Sequence, residues 1–248
     1  MKISDFVTKR RYPPPQKLTL WLLLFSQTLV AQTLQVVTKS IEKTFADPKI
    51  SKVQLWGERS DIDINTWQRQ EIKVVIELTA KHPDRSTAEK DLEVMHYTAN
   101  QSGKEVLIHN YVVVTKNQPK PLSNLKARFV VYMPPHCNIE IQNTFGKTTL
   151  KGLQAQTQLQ TEFCTVELTE IRGRLGIRTQ FGSLKVNDFQ GTLQFVSERT
   201  DVLLDQIKGE CKGKTQFGSL DIQTDKSQVK LSIETKETEL RNGAVAKQ

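Results

Sequence analysis

The sequence predicts an all-β protein: a β-solenoid, or parallel β-helix-like stack of coils of about 18 residues, with one capping α-helix in the N-terminal half. Three observations carry this expectation. Segments beginning at Asn143, Thr161, Thr179, Ser197 and Thr215 align with one another, each start lying 18 residues after the last. Within each segment apolar and polar residues alternate, the period-two pattern of a strand with one buried face. Glycine or another small residue separates the runs, where a tight corner calls for positive φ. One such unit cannot bury its apolar face, whereas stacked units bury a continuous core.

Residues 1–31 read as a signal peptide. Basic Lys9, Arg10, Arg11 and Lys17 precede the run LTLWLLLFSQTLVA, which ends at Ala31. That run is shorter than the roughly 20 residues of a spanning helix, and Ala31 with Leu29 gives an acceptable though imperfect small-residue cleavage site. An uncleaved N-terminal anchor is the other reading, because Ser26, Gln27 and Thr28 interrupt the apolar run. Either way export is expected, to the periplasm, cell surface or exterior, and cleavage leaves no transmembrane span in the mature chain. Removing 1–31 takes away five basic residues and one acidic one, so the net charge falls from +8 to +4. No basic patch with interleaved aromatics remains, which argues against nucleic acid as a partner.

Residues 32–136 form an N-terminal β-strand region continuous with the stack. Val53–Trp67, IKVVIEL from Ile72, KEVLIHNYVVV from Lys104 and LKARFVVYM from Leu125 all alternate. SDIDINTW, from Ser60, matches TDVLLDQI, from Thr200, slot for slot. Ser86 to Glu89 make a capping box, and Leu92, Met95 and Ala99 follow at helical spacing, which predicts a helix over about 86–100. It would cap one end or face of the stack, whose edges are otherwise templates for aggregation.

Residues 137–235 carry the repeats. The leading slot holds Phe145, Phe163, Phe181, Arg199 and Phe217, and the next holds Gly146, Cys164, Gly182, Thr200 and Gly218. Gly173, Gly191 and Gly209 recur ten residues past the leading slot. The expectation is that phenylalanine fills the core, glycine turns the chain, and each period contains two strands and two corners. The hexapeptide TQFGSL occurs at Thr179–Leu184 and again at Thr215–Leu220, 36 residues on. Residues 236–248 carry no pattern and read as a C-terminal tail.

The residues contain little that points to catalysis. Asp188, Asp201, Asp205 and Asp221 fall in different slots and make no ladder of carboxylates. His82, His96, His109 and His136 show no metal-binding spacing. Cys137, Cys164 and Cys211 are an odd number without a CxxC pair and read as buried thiols or one bridge plus a thiol. No catalytic, cofactor-binding or metal residue is assigned, and no cofactor is expected. Thr161, Thr179, Ser197 and Thr215 form a hydroxyl row that reads as β-packing rather than a sugar site. Gln158 with Gln194, and Gln180 with Gln216, suggest a polar, glycan-compatible surface.

With Phe145-Gly146, Phe181-Gly182 and Phe217-Gly218 leading apolar strands, and ARFVVYMPPHCNIEIQNTFGKTTLKG approaching the first of them, the chain resembles the putative adhesin family of bacterial envelope proteins. The resemblance covers about residues 36–225, and Arg199-Thr200 departs from its Phe-Gly pattern. It implies export, a β-helix-like fold and an adhesive or envelope-associated role, with no catalytic residue to carry over. The expected function is a non-enzymatic module binding a glycan, an envelope polymer or an envelope protein. A carbohydrate-active hydrolase or lyase and an envelope-stress signalling scaffold are the alternatives.

Overall fold

The chain runs through β1 (Gln35–Phe45), β2 (Lys52–Glu58), β3 (Ser60–Thr66), β4 (Ile72–His82), α1 (Arg85–Leu92), β5 (Met95–Ser102), β6 (Glu105–Val112), β7 (Asn124–Met133), β8 (Asn138–Lys151), β9 (Thr157–Gln223) and β10 (Val229–Arg241). This is a computed structural model describing residues 33–116 and 119–241. The expected signal peptide, residues 1–31, lies outside the described residues. Residues 236–241, expected to begin a tail, form the end of β10.

Among the described residues all ten strands join one mixed sheet that curls into a nearly closed, barrel-like form, which corrects the expected fold class. A parallel β-solenoid stack would pair its strands in parallel throughout. Here β4 runs antiparallel to both β1 and β7, and β5 antiparallel to β6. One physical cause is visible between β5 and β6. Only Gly103 and Lys104 join them, with Gly103 at φ 57°, and a link that short can only make a hairpin.

Parallel pairing occupies the rest of the sheet. β8 pairs with β9 at an offset of 18, Ile139 with Thr157 and Leu150 with Leu168, and β10 pairs with β9 at an offset of 20. At 67 residues β9 would extend about 220 Å if straight. Instead residues 18 apart within it lie against each other, Gly182 on Cys164 and Gly191 on Gly173. Each period contains three bends rather than two. Positive φ occurs at Phe163 and Phe181, at Glu170, Asp188 and Gln206, and at Gly173, Gly191 and Gly209. Between bends the inward rows are apolar: Val166, Leu184 and Val202 in one, Ile171, Phe189 and Ile207 in another, all buried.

The phenylalanines of the leading slot are not core residues, a second correction. Phe145 is 49% exposed, Phe163 43%, and Phe181 and Phe217 are half-buried. Each sits in the left-handed region, with φ between 53° and 61°, so its side chain leaves the corner outward. The rings then stack along the outside edge, 4.8 Å from Phe145 to Phe163 and 4.7 Å from Phe163 to Phe181. Arg199 does not interrupt this column. Its guanidinium carbon lies 5.4 Å from the Phe181 ring and 5.1 Å from that of Phe217. Left-handed geometry costs a non-glycine residue about 1–2 kcal/mol, and ring stacking or cation–π contact of about 0.5–1.5 kcal/mol offsets much of it.

The following slot explains why TQFGSL recurs at 36 residues and not at 18. From one strand layer to the next it reads Ser60, Gly146, Cys164, Gly182, Thr200, Gly218 and Thr238. In the layers without glycine the side chain donates back to the carbonyl two residues earlier: Ser60 Oγ to Glu58 at 2.9 Å, Cys164 Sγ to Glu162 at 3.2 Å, Thr200 Oγ1 to Glu198 at 2.9 Å and Thr238 Oγ1 to Lys236 at 3.0 Å. In the glycine layers a Cβ would overlap the carbonyl oxygen below, that of Ser60, Cys164 or Thr200 in turn. A capped corner and a bare corner therefore alternate, and the chemical repeat is two layers long.

The helix is shorter than expected. α1 ends at Leu92, and residues 95–102 are β5. Met95 and Ala99 are spaced i, i+4, which places them on one face of a strand as well as of a helix, and both are buried in β5. The N-cap is Asp84 and not Ser86. Its carboxylate accepts from Thr87 N at 2.8 Å and Thr87 Oγ1 at 2.6 Å, and these bonds hold its pKa below the usual carboxylate value.

Candidate binding groove

Strand pairing arranges the outward residues of β2, β6, β8, β9 and β10 into columns running across the strands. In one column Trp56 stands beside Gln142, Gln142 beside Gln160, and Lys214 beside Glu234, with Arg178 and Val196 between them at the 18-residue offset. A groove of about 800 Å³ follows this column and its neighbour from Glu140 to Glu234. It crosses six successive strand segments, roughly 24 Å at about 4.8 Å per strand. At its middle Gly176 has no side chain, and the flexible Gln158 carboxamide lies over it.

The electrostatics differ between the ends and the middle. Glu140 pairs with Lys52 at 2.9 Å, Lys212 with Glu210 at 3.1 Å and Lys214 with Glu234 at 3.6 Å. Among the described residues, nothing forms a hydrogen bond or ion pair with the side chains of Gln142, Gln158, Gln160, Gln194 or Arg178, all of them exposed. Arg178 also lines two smaller hollows alongside the groove, of about 210 and 90 Å³, each shared with Gln180. The glutamine pairs noted in the sequence therefore lie in or next to one site.

Beyond Gln142 the column ends in an aromatic cluster that sequence spacing does not reveal. Trp56 meets His109 edge-on at 6.1 Å, His109 lies 5.3 Å from Tyr111, and Tyr111 stacks on His96 at 5.6 Å. The pairing of β2 with β6 and of β6 with β5 brings them together. The one signal in the chain is the equal parity of His109 and Tyr111, which puts both on one face of β6. No group of three or more metal-ligating side chains occurs among the described residues.

The aspartates considered for catalysis do not converge. Asp188 receives both of its carboxylate bonds from Arg172 Nη2 at 2.8 Å, Asp201 accepts from Ser219 Oγ, and Asp221 accepts from Gln223 at 2.9 Å. None of them, nor Asp205, lines the groove. The groove's own carboxylates, Glu140 and Glu234, stand at opposite ends, roughly 24 Å apart by strand count, far beyond the two-carboxylate spacing of glycoside hydrolysis. The hydroxyl row of Thr161, Thr179, Ser197 and Thr215 faces the interior and is buried, so it cannot touch a ligand. The repeat residues Phe145, Gly146, Phe163, Phe181, Gly182, Phe217 and Gly218 lie on the aromatic edge, and Gly173, Gly191 and Gly209 on another bend.

All three cysteines are free and buried, with Cys137 pushed up to about 11 and Cys211 to about 12 by burial. Two outcomes follow. The native protein should react with a thiol reagent at pH 8 at least about a hundredfold more slowly than the urea-unfolded chain. Because the folded values are raised, this stabilisation is complete below the unfolded thiol value of 9.0 and is lost as pH rises from there toward 11 and 12. Unfolding titrations from pH 7 to 11 would show this, and a Cys137→Ala, Cys211→Ala variant should show a smaller alkaline decline, with Cys164, also raised by burial, still contributing.

No family model matches the chain, and no curated protein matches it. Similar solved structures include a putative cell adhesion protein from Clostridium sporogenes, at 16% identity and TM-score 0.33, covering 85% of this chain and 98% of that one. A putative adhesin from Bacteroides fragilis has 10% identity and TM-score 0.43, with 82% and 97% covered. A putative lipid binding protein from Parabacteroides distasonis has 10% identity and TM-score 0.35, with 84% and 95% covered. These are described as adhesion or binding proteins and not as enzymes, and at such TM-scores the likeness carries no argument about this chain's ligand.

Proposed function

We propose that the protein is a non-enzymatic binding module of the cell envelope, and that its ligand is an extended, hydroxyl-rich polymer, a glycan, laid across the strands in the Glu140–Glu234 groove. The observation that carries this reading is the groove itself: about 800 Å³ of space, lined by exposed amides that have no hydrogen-bond partner among the described residues, in a column that continues onto Trp56. Amide side chains offer both donors and acceptors to sugar hydroxyls, and a half-buried tryptophan provides an apolar edge on which a ring can rest. The basic and apolar segment within residues 1–31 supports export. No helix among the described residues is long and apolar enough to cross a membrane.

The test is retention of the protein on immobilised envelope polysaccharides, with Trp56→Ala beside the wild type. Trp56→Ala should weaken binding about tenfold or more while leaving the thermal midpoint within a few degrees. Failure of any polysaccharide to retain the wild type would overturn the reading, and release of reducing ends during incubation would replace it with hydrolysis.

A further inference from the structure

Given that the groove binds a polymer, we propose that Arg178 and Gly176 form a subsite for the carboxylate of an acidic sugar, spaced among neutral sugars along the chain. Arg178 is exposed at mid-groove and, among the described residues, has no ion-pair or hydrogen-bond partner, whereas Lys212 and Lys214 are each committed to a glutamate. Its planar guanidinium matches a carboxylate with two parallel bonds, which a lysine cannot do.

Gly176 lies two residues before Arg178, on the same outward face of the same strand segment, about 7 Å away. The Gln158 carboxamide lies over Gly176, and because it is flexible and exposed it can swing aside, which opens a width of roughly 9.6 Å between the Gln158 and Gln194 segments. That width takes one sugar ring over the backbone. Val196, 44% exposed and next to Arg178 in its column, supplies an apolar contact for the ring's C–H face. The rest of the lining near this point is amide, suited to neutral hydroxyls. One unpaired cation among the described residues over about 24 Å of groove fits a charge that recurs at intervals along the polymer, not one on every unit.

The experiment compares binding of the full chain to hyaluronan, which alternates a uronic acid with a neutral amino sugar, with binding to carboxyl-reduced hyaluronan. Alginate and polygalacturonate serve as further uronate probes, and dextran sulfate and polyphosphate as other anions. Hyaluronan should bind about tenfold or more tightly than its carboxyl-reduced form, and more tightly than alginate or polygalacturonate, which carry a carboxylate on every unit. Arg178→Gln should abolish that preference, weakening the acidic form about tenfold or more beyond any effect on the reduced form, a split that loss of folding would not produce. Gly176→Leu, which fills the gap where only the flexible Gln158 amide must move, should weaken both forms. Equal binding of native and reduced polymers, a preference that survives Arg178→Gln, or a preference for the sulfated or phosphate polymer would overturn the subsite while leaving the groove a polymer site. Absence of binding to every polymer, reduced forms included, would remove the groove reading and the subsite with it.

Discussion

Replacing Gly191 by alanine is expected to destabilise the protein by about 2–5 kcal/mol, the sum of two independent costs. Gly191 is at φ 141°, a conformation that L side chains rarely adopt. A Cβ there would also overlap the carbonyl oxygen of Gly173, one layer below. The obstacle is backbone, so it cannot rotate away, and relief requires the layers to separate where their ladder hydrogen bonds hold them together. Gly176→Ala is the matched control. The added methyl meets only the far end of Gln158, a flexible exposed side chain, and the cost should stay within about 1 kcal/mol. Urea unfolding of both variants measures the difference. Equal midpoints would show that layer contact at the Gly191 bend does not limit stability.

The second large effect is expected at Phe189. Its ring is fully buried, and Phe189→Ala should cost about 3–5 kcal/mol, the range for removing a core aromatic. Phe181→Ala, by contrast, removes a half-buried ring from the outer column, leaving Phe163 and Arg199 without their shared neighbour. Its cost should be nearer the stacking contribution, about 1 kcal/mol. Sequence reasoning puts Phe181 in the core, because it recurs at a regular slot, and so expects about 3–5 kcal/mol for Phe181→Ala as well. Thermal or chemical unfolding of the pair decides between them, and a larger loss for Phe181→Ala would place the edge column in the core after all.

The difference has a specific physical source. Alternation identifies the inward rows correctly at Val166, Leu184 and Val202, because a strand has only two faces and the apolar one turns inward. At a bend the alternation stops. A left-handed residue breaks the parity, so an aromatic at that point faces solvent even though its repeat spacing is unchanged. The same loss of parity split Val53–Trp67, one alternating run in the sequence, into β2 and β3 at Arg59, φ 50°. The overestimated helix has a related origin: four-residue spacing at Met95 and Ala99 satisfies both periodicities, and pairing with β6 chose the strand.

The candidate groove was legible in part. Gln158 and Gln194 could be picked out as exposed because their slot alternates with Leu159 and Phe195, both buried. The groove itself could not, since it depends on Gly176 missing a side chain between two particular neighbours and on ion pairs that occupy Lys212 and Lys214 but leave Arg178 without one. Nor could the cluster of Trp56, His96, His109 and Tyr111, whose members are up to 55 residues apart in sequence and meet only through strand pairing.

Local chemistry in the chain was enough for the all-β character, the 18-residue offset between β8 and β9 and the identity of most inward residues, because backbone period and apolar burial are properties of short segments. Three things were settled only when the segments came together: the antiparallel pairs that make the sheet mixed, the outward column of phenylalanines, and the alternation of glycine with a capping hydroxyl or thiol. Each depends on what lies 4.8 Å away in the next strand, and a single strand's sequence contains no record of its neighbour.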